Sequence, residues 1–377
     1  MKIAIVCDVL GEENNGTTIA AMNLIRYLRE RGHQVRVLCC DKSKEGQPDY
    51  FVVPTMNFGP FNKYVEKNGV SLAKPDEDII RAAFDGVDIV HVMLPFGLGL
   101  AATDIAKDIG LPVSAGCHLL AENFTTHIFM QNFKPANDLT YRHFGKLYKQ
   151  VDSVHYVTPF MRQLYESMYG ITNGYVISNG VTDNFSPAAE APDCNGMIQI
   201  VYTGRYSREK SHKVLFEAVA KSKYSHRIQL VLAGDGPLRD KLEKLGEKLP
   251  VPPKMGFIAR EDMPDKLRNS YLYVHAAEIE AEGISCLEAI TCGVVPIIND
   301  SSRCATKSYA LTPENTFVDN DSDDLAAKID WWIEHRREYL DVRQRYIQMA
   351  GDNFARSKCM ERMEQMLLET AEKFGKK

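Results

Sequence analysis

The sequence has no long hydrophobic run, no excess of positive charge and no closely spaced cysteine pair, and each absence excludes a class of protein. No window of about 18 residues is continuously apolar, so no membrane-spanning helix is expected. The net charge of -5 excludes a global basic surface for nucleic acid. The nine cysteines form no C-x-x-C pair, and the adjacent Cys39 and Cys40 suit neither a disulfide framework nor a zinc knuckle. We therefore predict reduced thiols in the core of a cytosolic protein.

Short apolar strands alternate with amphipathic helices along both halves of the 377-residue chain. The N-terminal KIAIVCDV is typical of a first strand rather than a signal peptide, and a helical pattern follows it. Residues 182–196 are rich in proline, alanine and acid and lack periodicity, which is typical of a linker, and the pattern restarts after them with IQIVYTG. This order predicts an α/β protein with two Rossmann-like parallel-sheet domains. We expect a first domain over residues 1–185, a second over 186–345, and a C-terminal helix over 346–377 that packs back on the first domain.

Three stretches resemble ligand-binding motifs but lack residues that those motifs require. Gly11–Thr18 has the spacing of a P-loop, yet Thr17 replaces the lysine and two glutamates would repel phosphate; we favour a turn, with Thr17 or Thr18 capping the next helix. Gly97–Ala102 matches a dinucleotide fingerprint without its acidic ribose ligand, so close packing of a helix is favoured over a nicotinamide site. Asp319–Asp330 resembles a calcium loop without its central glycine, and helix capping is favoured there.

Four features of the second half are compatible with one anion-binding site. TGRYSREK places Arg205 and Lys210 in the loop after the first strand of that half, where two cations can clamp a diphosphate. EAEGISCLEAITCG separates Glu280 from Glu288 by eight positions, and Gly283 precedes a predicted helix whose N–H groups would point at an anion. The turn AGDGP and the segment SNGV are the other two features. For each feature the alternative is structural: a solvated basic loop, an acidic run or an ordinary turn.

Together with the N-terminal glycine loop and RGH at residues 31–33, these motifs resemble the retaining nucleotide-sugar glycosyltransferases of the GT-B type in the large family four (glycosyl transferases group 1). The resemblance covers nearly the whole chain and implies two Rossmann-like domains that face a cleft. It implies that Arg205 and Lys210 hold the donor diphosphate, that Glu280 contacts the transferred sugar and that Glu288 binds the ribose. The other donor contacts that it implies, through the glycine loop, the base segment and a helix N-terminus, are Gly16, Gly256, Phe257, Gly283, Ile284 and Ser285.

The segment GCHLLAENF in the first half supports the same resemblance. His118 matches the active-site histidine of the family, which touches the donor sugar, and HxxxEN is similar to the diacylglycerol glucosyltransferase branch. The sequence departs from common members at EAEGIS, where many have EGFG, and at TPFM, where many have Pro-Ser.

The resemblance implies a hexosyltransferase that retains the anomeric configuration and uses no metal or other cofactor. Glucose carried by UDP is the favoured donor, and diacylglycerol or another membrane lipid is the favoured acceptor. A soluble sugar acceptor and a nucleotide-sugar epimerase on the same fold remain alternatives. An NAD-dependent oxidoreductase is the alternative from a different class.

Residues 126–150 interleave aromatic and basic side chains at helical spacing. A basic and aromatic helix can lie on an anionic membrane, which would make the protein a cytoplasmic enzyme in peripheral contact with the inner face of the plasma membrane. The alternative is an aromatic stripe that faces the core beside a solvated flank. The candidates for membrane or acceptor contact are Tyr141, Arg142, Phe144, Lys146 and Lys149.

Overall fold

The computed structural model describes residues 1–8, 10, 16–57, 59, 72–126 and 130–375. The chain divides into two compact units. The first comprises Met1–Asn179 together with Cys359–Lys377, and the second comprises Gly180–Lys358.

These limits differ from the predicted boundaries at residues 185 and 346 because the backbone pairs across the linker region. The Val181 amide donates to the Phe354 carbonyl at 2.7 Å, and the Arg356 amide donates to the Val181 carbonyl at 3.0 Å. Residues 180–185 and 346–358 therefore belong to the second unit.

The first unit contains a parallel sheet of seven strands. These strands are β1 (Lys2–Val6), β2 (Gln34–Cys39), β3 (Tyr50–Val52), β4 (Ile89–Val92), β5 (Val113–Cys117), β6 (Ser153–Tyr156) and β7 (Gly174–Val176). Their order is β3-β2-β1-β4-β5-β6-β7, with Ile3 paired to Val35 on one side and to Ile89 on the other.

Six described helices accompany this sheet before the chain leaves the first unit. They are α1 (Gly16–Glu30), α2 (Glu77–Phe84), α3 (Gly97–Asp108), α4 (Ala121–Thr125), α5 (Lys134–Tyr148) and α6 (Pro159–Tyr169).

The second unit contains a parallel sheet of six strands. They are β8 (Ile198–Thr203), β9 (Ile228–Ala233), β10 (Lys254–Gly256), β11 (Leu272–His275), β12 (Val295–Asn299) and β13 (Thr316–Phe317). Their order is β10-β9-β8-β11-β12-β13, so the direction of winding reverses between β8 and β11.

The remaining helices follow these strands in the chain. They are α7 (His212–Lys221), α8 (Arg239–Gly246), α9 (Met263–Arg268), α10 (Ile284–Thr291), α11 (Ser322–Glu334), α12 (Arg336–Asn353) and α13 (Arg356–Phe374). Helix α13 begins in the second unit, and its residues from Cys359 onward belong to the first.

The strands explain why an α/β fold was predictable. Central strands such as β4, β5 and β12 are buried along their whole length, as expected where both faces of a parallel sheet are covered. The predicted class of two Rossmann-like parallel-sheet units is therefore confirmed. None of the nine cysteines forms a disulfide, and all except Cys194 are buried, as the sequence predicted.

Two of the three near-miss motifs have structural roles, and one prediction about the first is corrected. A Cβ at Gly99 would lie 2.2 Å from the Leu94 carbonyl oxygen, so this glycine allows α3 to pack closely. The Asp321 carboxylate accepts hydrogen bonds from the Asp323 and Asp324 amides and caps α11. Residues 11–15 of the glycine loop lie outside the described residues, and α1 begins at Gly16, so the prediction that Thr17 or Thr18 caps it is wrong.

No helix among the described parts of the chain is both long enough and apolar enough to span a bilayer.

Candidate active site

The reversal of winding in the second sheet brings two predicted site loops to the same edge. Ligands of open parallel sheets bind outside the carboxyl ends of the strands at such a reversal. The loop with Arg205 and Lys210 follows β8, and the loop with Glu280 follows the neighbouring strand β11. The two loops, which are separated along the sequence, therefore lie next to each other in the structure.

Lys210 and Glu280 form an ion pair at this edge. The Lys210 Nζ lies 2.5 Å from Glu280 Oε2, and each side chain is 19% exposed. Burial lowers the pKa of Lys210, but the charge and hydrogen bond of Glu280 outweigh that effect and hold the pKa above its ordinary value. Burial raises the pKa of Glu280, and the Lys210 charge outweighs it in turn, so this pKa is lowered. Both groups are therefore charged at neutral pH.

His275, the last residue of β11, lies next to Glu280. Its Nε2 is 3.7 Å from Glu280 Oε2. Burial lowers the pKa of His275 to about 4, so the imidazole is neutral near pH 7. The Tyr273 hydroxyl is 3.4 Å from His275 Nδ1 and 3.1 Å from Ser285 Oγ, which connects the strand to the start of α10.

Arg205 has a different environment from Lys210. Its side chain is exposed, and it makes no ion pair with any residue in the described part of the chain. Of the two predicted diphosphate cations, Lys210 is therefore mostly buried and paired with Glu280, and Arg205 is exposed.

The N-terminus of α10 contributes backbone N–H groups to the same edge. Gly283 precedes the helix with a φ of 75°, a left-handed conformation that favours glycine. A Cβ at this position would also lie 2.2 Å from Thr306 Cγ2. Ile284 and Ser285 are the first two helical residues, as the sequence predicted. A helix start of this kind can bind an anion through its free amides.

Glu288 lies in the second turn of α10 and is buried. Its Oε1 is 2.6 Å from Arg260 Nη2, and its side chain is only 5% exposed. Burial raises the pKa of Glu288, and the Arg260 charge opposes that rise. The Arg260 guanidinium also lies 4.8 Å from the ring centroid of Phe185.

The predicted base segment lies at the end of β10, where Gly256 is the last residue of the strand and Phe257 follows it. The Gly256 amide donates to the Tyr206 hydroxyl at 3.1 Å, which connects this segment to the loop of Arg205. Phe257 is 80% exposed. The loops also meet at Gly234, where a Cβ would lie 2.0 Å from the Gly204 carbonyl oxygen, so AGDGP is a close backbone contact as well as a turn.

His118 follows β5 in the first unit and is buried rather than presented at the surface. Its ring packs edge-on against His155 with centroids 5.2 Å apart, and a Cβ at Gly116 would lie 2.3 Å from its Nε2. Neither ring nitrogen has a hydrogen-bond partner among the described residues. Burial and the neighbouring His155 and His91 hold the pKa of His118 well below its ordinary value, so the ring is neutral.

Hydroxyl groups of α5 and α6 fix the segment around His118. Tyr148 donates to the Gly116 carbonyl at 3.3 Å, and Tyr165 donates to the Leu119 carbonyl at 2.8 Å. Tyr141 donates to Glu122 Oε2 at 2.7 Å. Gly16 is placed at the N-terminus of α1, which follows β1 of the same sheet.

The prediction that the aromatic side chains of α5 contact a membrane or acceptor is wrong. Tyr141 is 8% exposed and Phe144 is 2% exposed, because both face the core of the first unit. The basic side chains are different: Arg142 and Lys146 on α5 and Lys149 directly after it are all exposed.

Sequence reasoning missed Arg260, His275, Tyr273 and Glu278. His275 and Tyr273 lie at the carboxyl end of β11, where their position alone pointed to the site edge. The acidic alternation EIEAE contained a signal for Glu278, which accepts a 2.7 Å hydrogen bond from Ser211 Oγ beside Lys210.

Two family models cover most of the chain. The model described as Glycosyltransferase Family 4 matches residues 14–185, and the model described as Glycosyl transferases group 1 matches residues 193–350. The chain belongs to glycosyltransferase family 4. The enzyme class is therefore a transferase, and the coarse assignment made from the motifs is confirmed.

Curated relatives of this glycosyltransferase are distant. The alpha-monoglucosyldiacylglycerol synthase of Streptococcus pneumoniae is 23% identical over 318 residues, which cover 79% of this chain and 70% of that protein. A GDP-mannose-dependent alpha-mannosyltransferase of Mycolicibacterium smegmatis is 25% identical over 356 residues, which cover 90% of each chain.

Solved glycosyltransferases share the fold. The crystal structure of Anabaena HepE in complex with UDP has a TM-score of 0.74 to this transferase at 15% identity, covering 98% of this chain and 100% of that chain. At this identity the likeness shows the GT-B fold alone.

Proposed function

We propose that the enzyme transfers a hexose, with glucose from UDP-glucose as the preferred donor, to a lipid hydroxyl with retention of the anomeric configuration. The observation that carries the proposal is the charged pair Lys210–Glu280 beside the amides that follow Gly283. A cation and a helix N-terminus at one sheet edge suit a diphosphate, and a carboxylate next to them suits sugar hydroxyls.

In the proposed reaction the bond between the anomeric carbon and the diphosphate oxygen breaks as the acceptor oxygen bonds to the same face of the sugar. The leaving diphosphate oxygen accepts the proton of the acceptor hydroxyl, so no protein nucleophile is needed. Lys210, Arg205 and the amides of Ile284 and Ser285 stabilise the negative charge that develops on the leaving group. Because side chains and amides supply this stabilisation, we propose that the reaction needs no metal or other cofactor.

We propose that the other predicted site residues contact the remaining parts of the donor. Glu288 accepts hydrogen bonds from the ribose, and Gly256 and Phe257 border the base. Gly16 in the first unit approaches the diphosphate through its backbone, and His118 contacts the transferred sugar. Because His118 is buried against Gly116 in this structure, that contact requires the ring to turn outward.

A lipid acceptor is supported by a relative and by the surface of the first unit. The pneumococcal relative is named for alpha-monoglucosyldiacylglycerol synthesis. The exposed Arg142 and Lys146 follow the exposed Leu139 on α5 at helical spacing, and the exposed Lys149 comes directly after the helix. Leu139 is 67% exposed. Bases beside apolar side chains suit the interface of an anionic bilayer. We therefore propose peripheral contact through this surface, with Leu139 in place of the buried aromatics.

A donor screen tests the proposed reaction. UDP-, GDP- and ADP-hexoses are incubated with the enzyme, with and without lipid extract, and the released nucleoside diphosphate is measured. We expect UDP release from UDP-glucose only when lipid is present, and NMR of the product should show the donor's anomeric configuration. Conversion of the donor without an acceptor would favour an epimerase, and inversion at the anomeric carbon would contradict the proposed mechanism.

A further inference from the structure

Glu278 lies two positions before Glu280 and connects three loops through its carboxylate. Its Oε1 accepts hydrogen bonds from Ser211 Oγ at 2.7 Å and from Asn320 Nδ2 at 3.3 Å. Its Oε2 accepts a hydrogen bond from Arg303 Nη2 at 3.4 Å. The side chain therefore joins the loop of Lys210 to the loops that follow β12 and β13.

The backbone of Glu278 strengthens the same connection. Its amide donates to the Glu209 carbonyl at 2.8 Å, and its carbonyl accepts from Ser301 Oγ at 2.8 Å. Lys210 thus has one neighbour, Glu209, bonded to the Glu278 backbone and the other, Ser211, bonded to the Glu278 carboxylate.

Ser211 has an unfavourable backbone conformation that needs such support. Its φ of 47° and ψ of 35° are left-handed, although it is not a glycine. An L-residue rarely adopts this conformation, because its Cβ then approaches the following carbonyl oxygen. Ser211 is also the N-cap residue of α7, yet its side chain makes no cap hydrogen bond and donates to Glu278 instead.

We propose that Glu278 is a positioning residue, which fixes the backbone on both sides of Lys210 so that its ammonium group meets the donor diphosphate. The inference rests on the proposed function. When the diphosphate competes with Glu280 for the Lys210 ammonium, the ion pair with Glu280 weakens. The position of the ammonium then depends on the hydrogen bonds of Glu278 to Ser211 and Glu209.

The alternative is that Glu278 only stabilises the fold of the second unit. A double-mutant cycle separates the two roles, because groups that act through each other are not additive. If Glu278 acts through Lys210, its removal weakens diphosphate binding only while Lys210 is present. A purely structural role would weaken binding equally in both backgrounds or leave it unchanged.

The experiment measures the Kd of UDP by calorimetry for the full-length protein and for Glu278→Ala, Lys210→Ala and the double variant. We expect Glu278→Ala to raise the Kd about 10-fold in the native background, the scale of one lost charge-assisted hydrogen bond, and to change it less than about 2-fold in the Lys210→Ala background. Glu314→Ala is the matched control, since Glu314 accepts a 2.7 Å bond from Lys328 in the same unit. It should leave the Kd unchanged.

Two further variants keep the test valid if Glu278→Ala fails to fold. Glu278→Gln preserves the shape but weakens the bond to Ser211, and Ser211→Ala removes that bond. Both should raise the Kd of UDP, and Ser211→Gly should raise it less if backbone strain contributes.

Equal loss in the two backgrounds, or no loss in any Glu278 or Ser211 variant, would overturn the inference while leaving the proposed function intact. Failure of the unmodified protein to bind UDP, GDP or ADP would contradict the proposed function and this inference together.

Discussion

At the scale of single residues, the sequence identified which side chains belong to the site but not which of them form an ion pair. Arg205, Lys210 and Glu280 were predictable from motif spacing, and Gly283 was predictable from its position before a helix. The 2.5 Å contact between Lys210 and Glu280 was not, because it depends on the relative positions of β8 and β11. Sequence spacing does not contain that information, since the two residues are far apart in the chain.

Asp8 is a residue that the sequence did not single out at all. It follows β1, is 2% exposed, and accepts a 3.3 Å hydrogen bond from the Ala73 amide through Oδ1. Burial raises its pKa to about 7. A raised carboxyl pKa means that the fold favours the protonated form, so the associated stability is complete below about pH 4 and is lost as the pH rises through 7.

Asp8→Asn should therefore remove a pH dependence of stability. Asparagine has the shape of the protonated acid and cannot ionise, so the variant should gain stability relative to the native protein as the pH rises from 4 to 8. The gain is on the order of 4 kcal/mol, at about 1.4 kcal/mol per pKa unit. Thermal unfolding at several pH values measures it, and the exposed Asp108→Asn is the control. Parallel melting curves for Asp8→Asn and the native protein would refute this pKa assignment.

At the scale of helices and strands, periodicity predicted the secondary-structure elements but not which face of a helix packs against the protein core. Tyr141 and Phe144 share a stripe on α5, and the sequence left open whether that stripe faces lipid or protein. The structure buries it, because Tyr141 donates to Glu122 and Phe144 packs against Phe96 with ring centroids 6.2 Å apart. Such partners come from distant parts of the chain, so no local pattern reveals them.

The exposed face of α5 carries the membrane prediction. Replacing Arg142, Lys146 and Lys149 together by glutamine should weaken binding to anionic liposomes on the order of 100-fold, since each base near such a surface contributes about 1 kcal/mol. Flotation with phosphatidylserine vesicles at low salt measures the bound fraction.

A matched triple variant on α8 and the turn after it controls for lost charge. Lys241, Lys244 and Lys248 are also exposed, and replacing them by glutamine should leave flotation unchanged. Equal flotation of both triple variants and the native protein would show that α5 is not the contact surface.

At the scale of the whole molecule, the repeated strand–helix order was enough to predict two parallel-sheet units, because each unit repeats one simple local rule. The unit boundaries were less predictable. Val181 pairs with Phe354 and Arg356 near the other end of the second unit, a contact between segments that the sequence separates widely. The conformation of His118 was also beyond the sequence, since its inward ring depends on the space above Gly116.

The most direct test of the central claim is turnover of UDP-glucose by the native enzyme, Arg205→Ala and Lys210→Ala, measured as UDP release with lipid acceptor. The claim is that cations at the edge of the second sheet stabilise the departing diphosphate. We expect kcat to fall roughly 100- to 1,000-fold for Lys210→Ala, the usual cost of removing a preorganised group that stabilises developing charge, with a large fall for Arg205→Ala as well. The exposed Arg337→Ala should keep normal turnover, and unchanged melting temperatures should show that the fold survives. Near-normal kcat in both site variants would contradict the account.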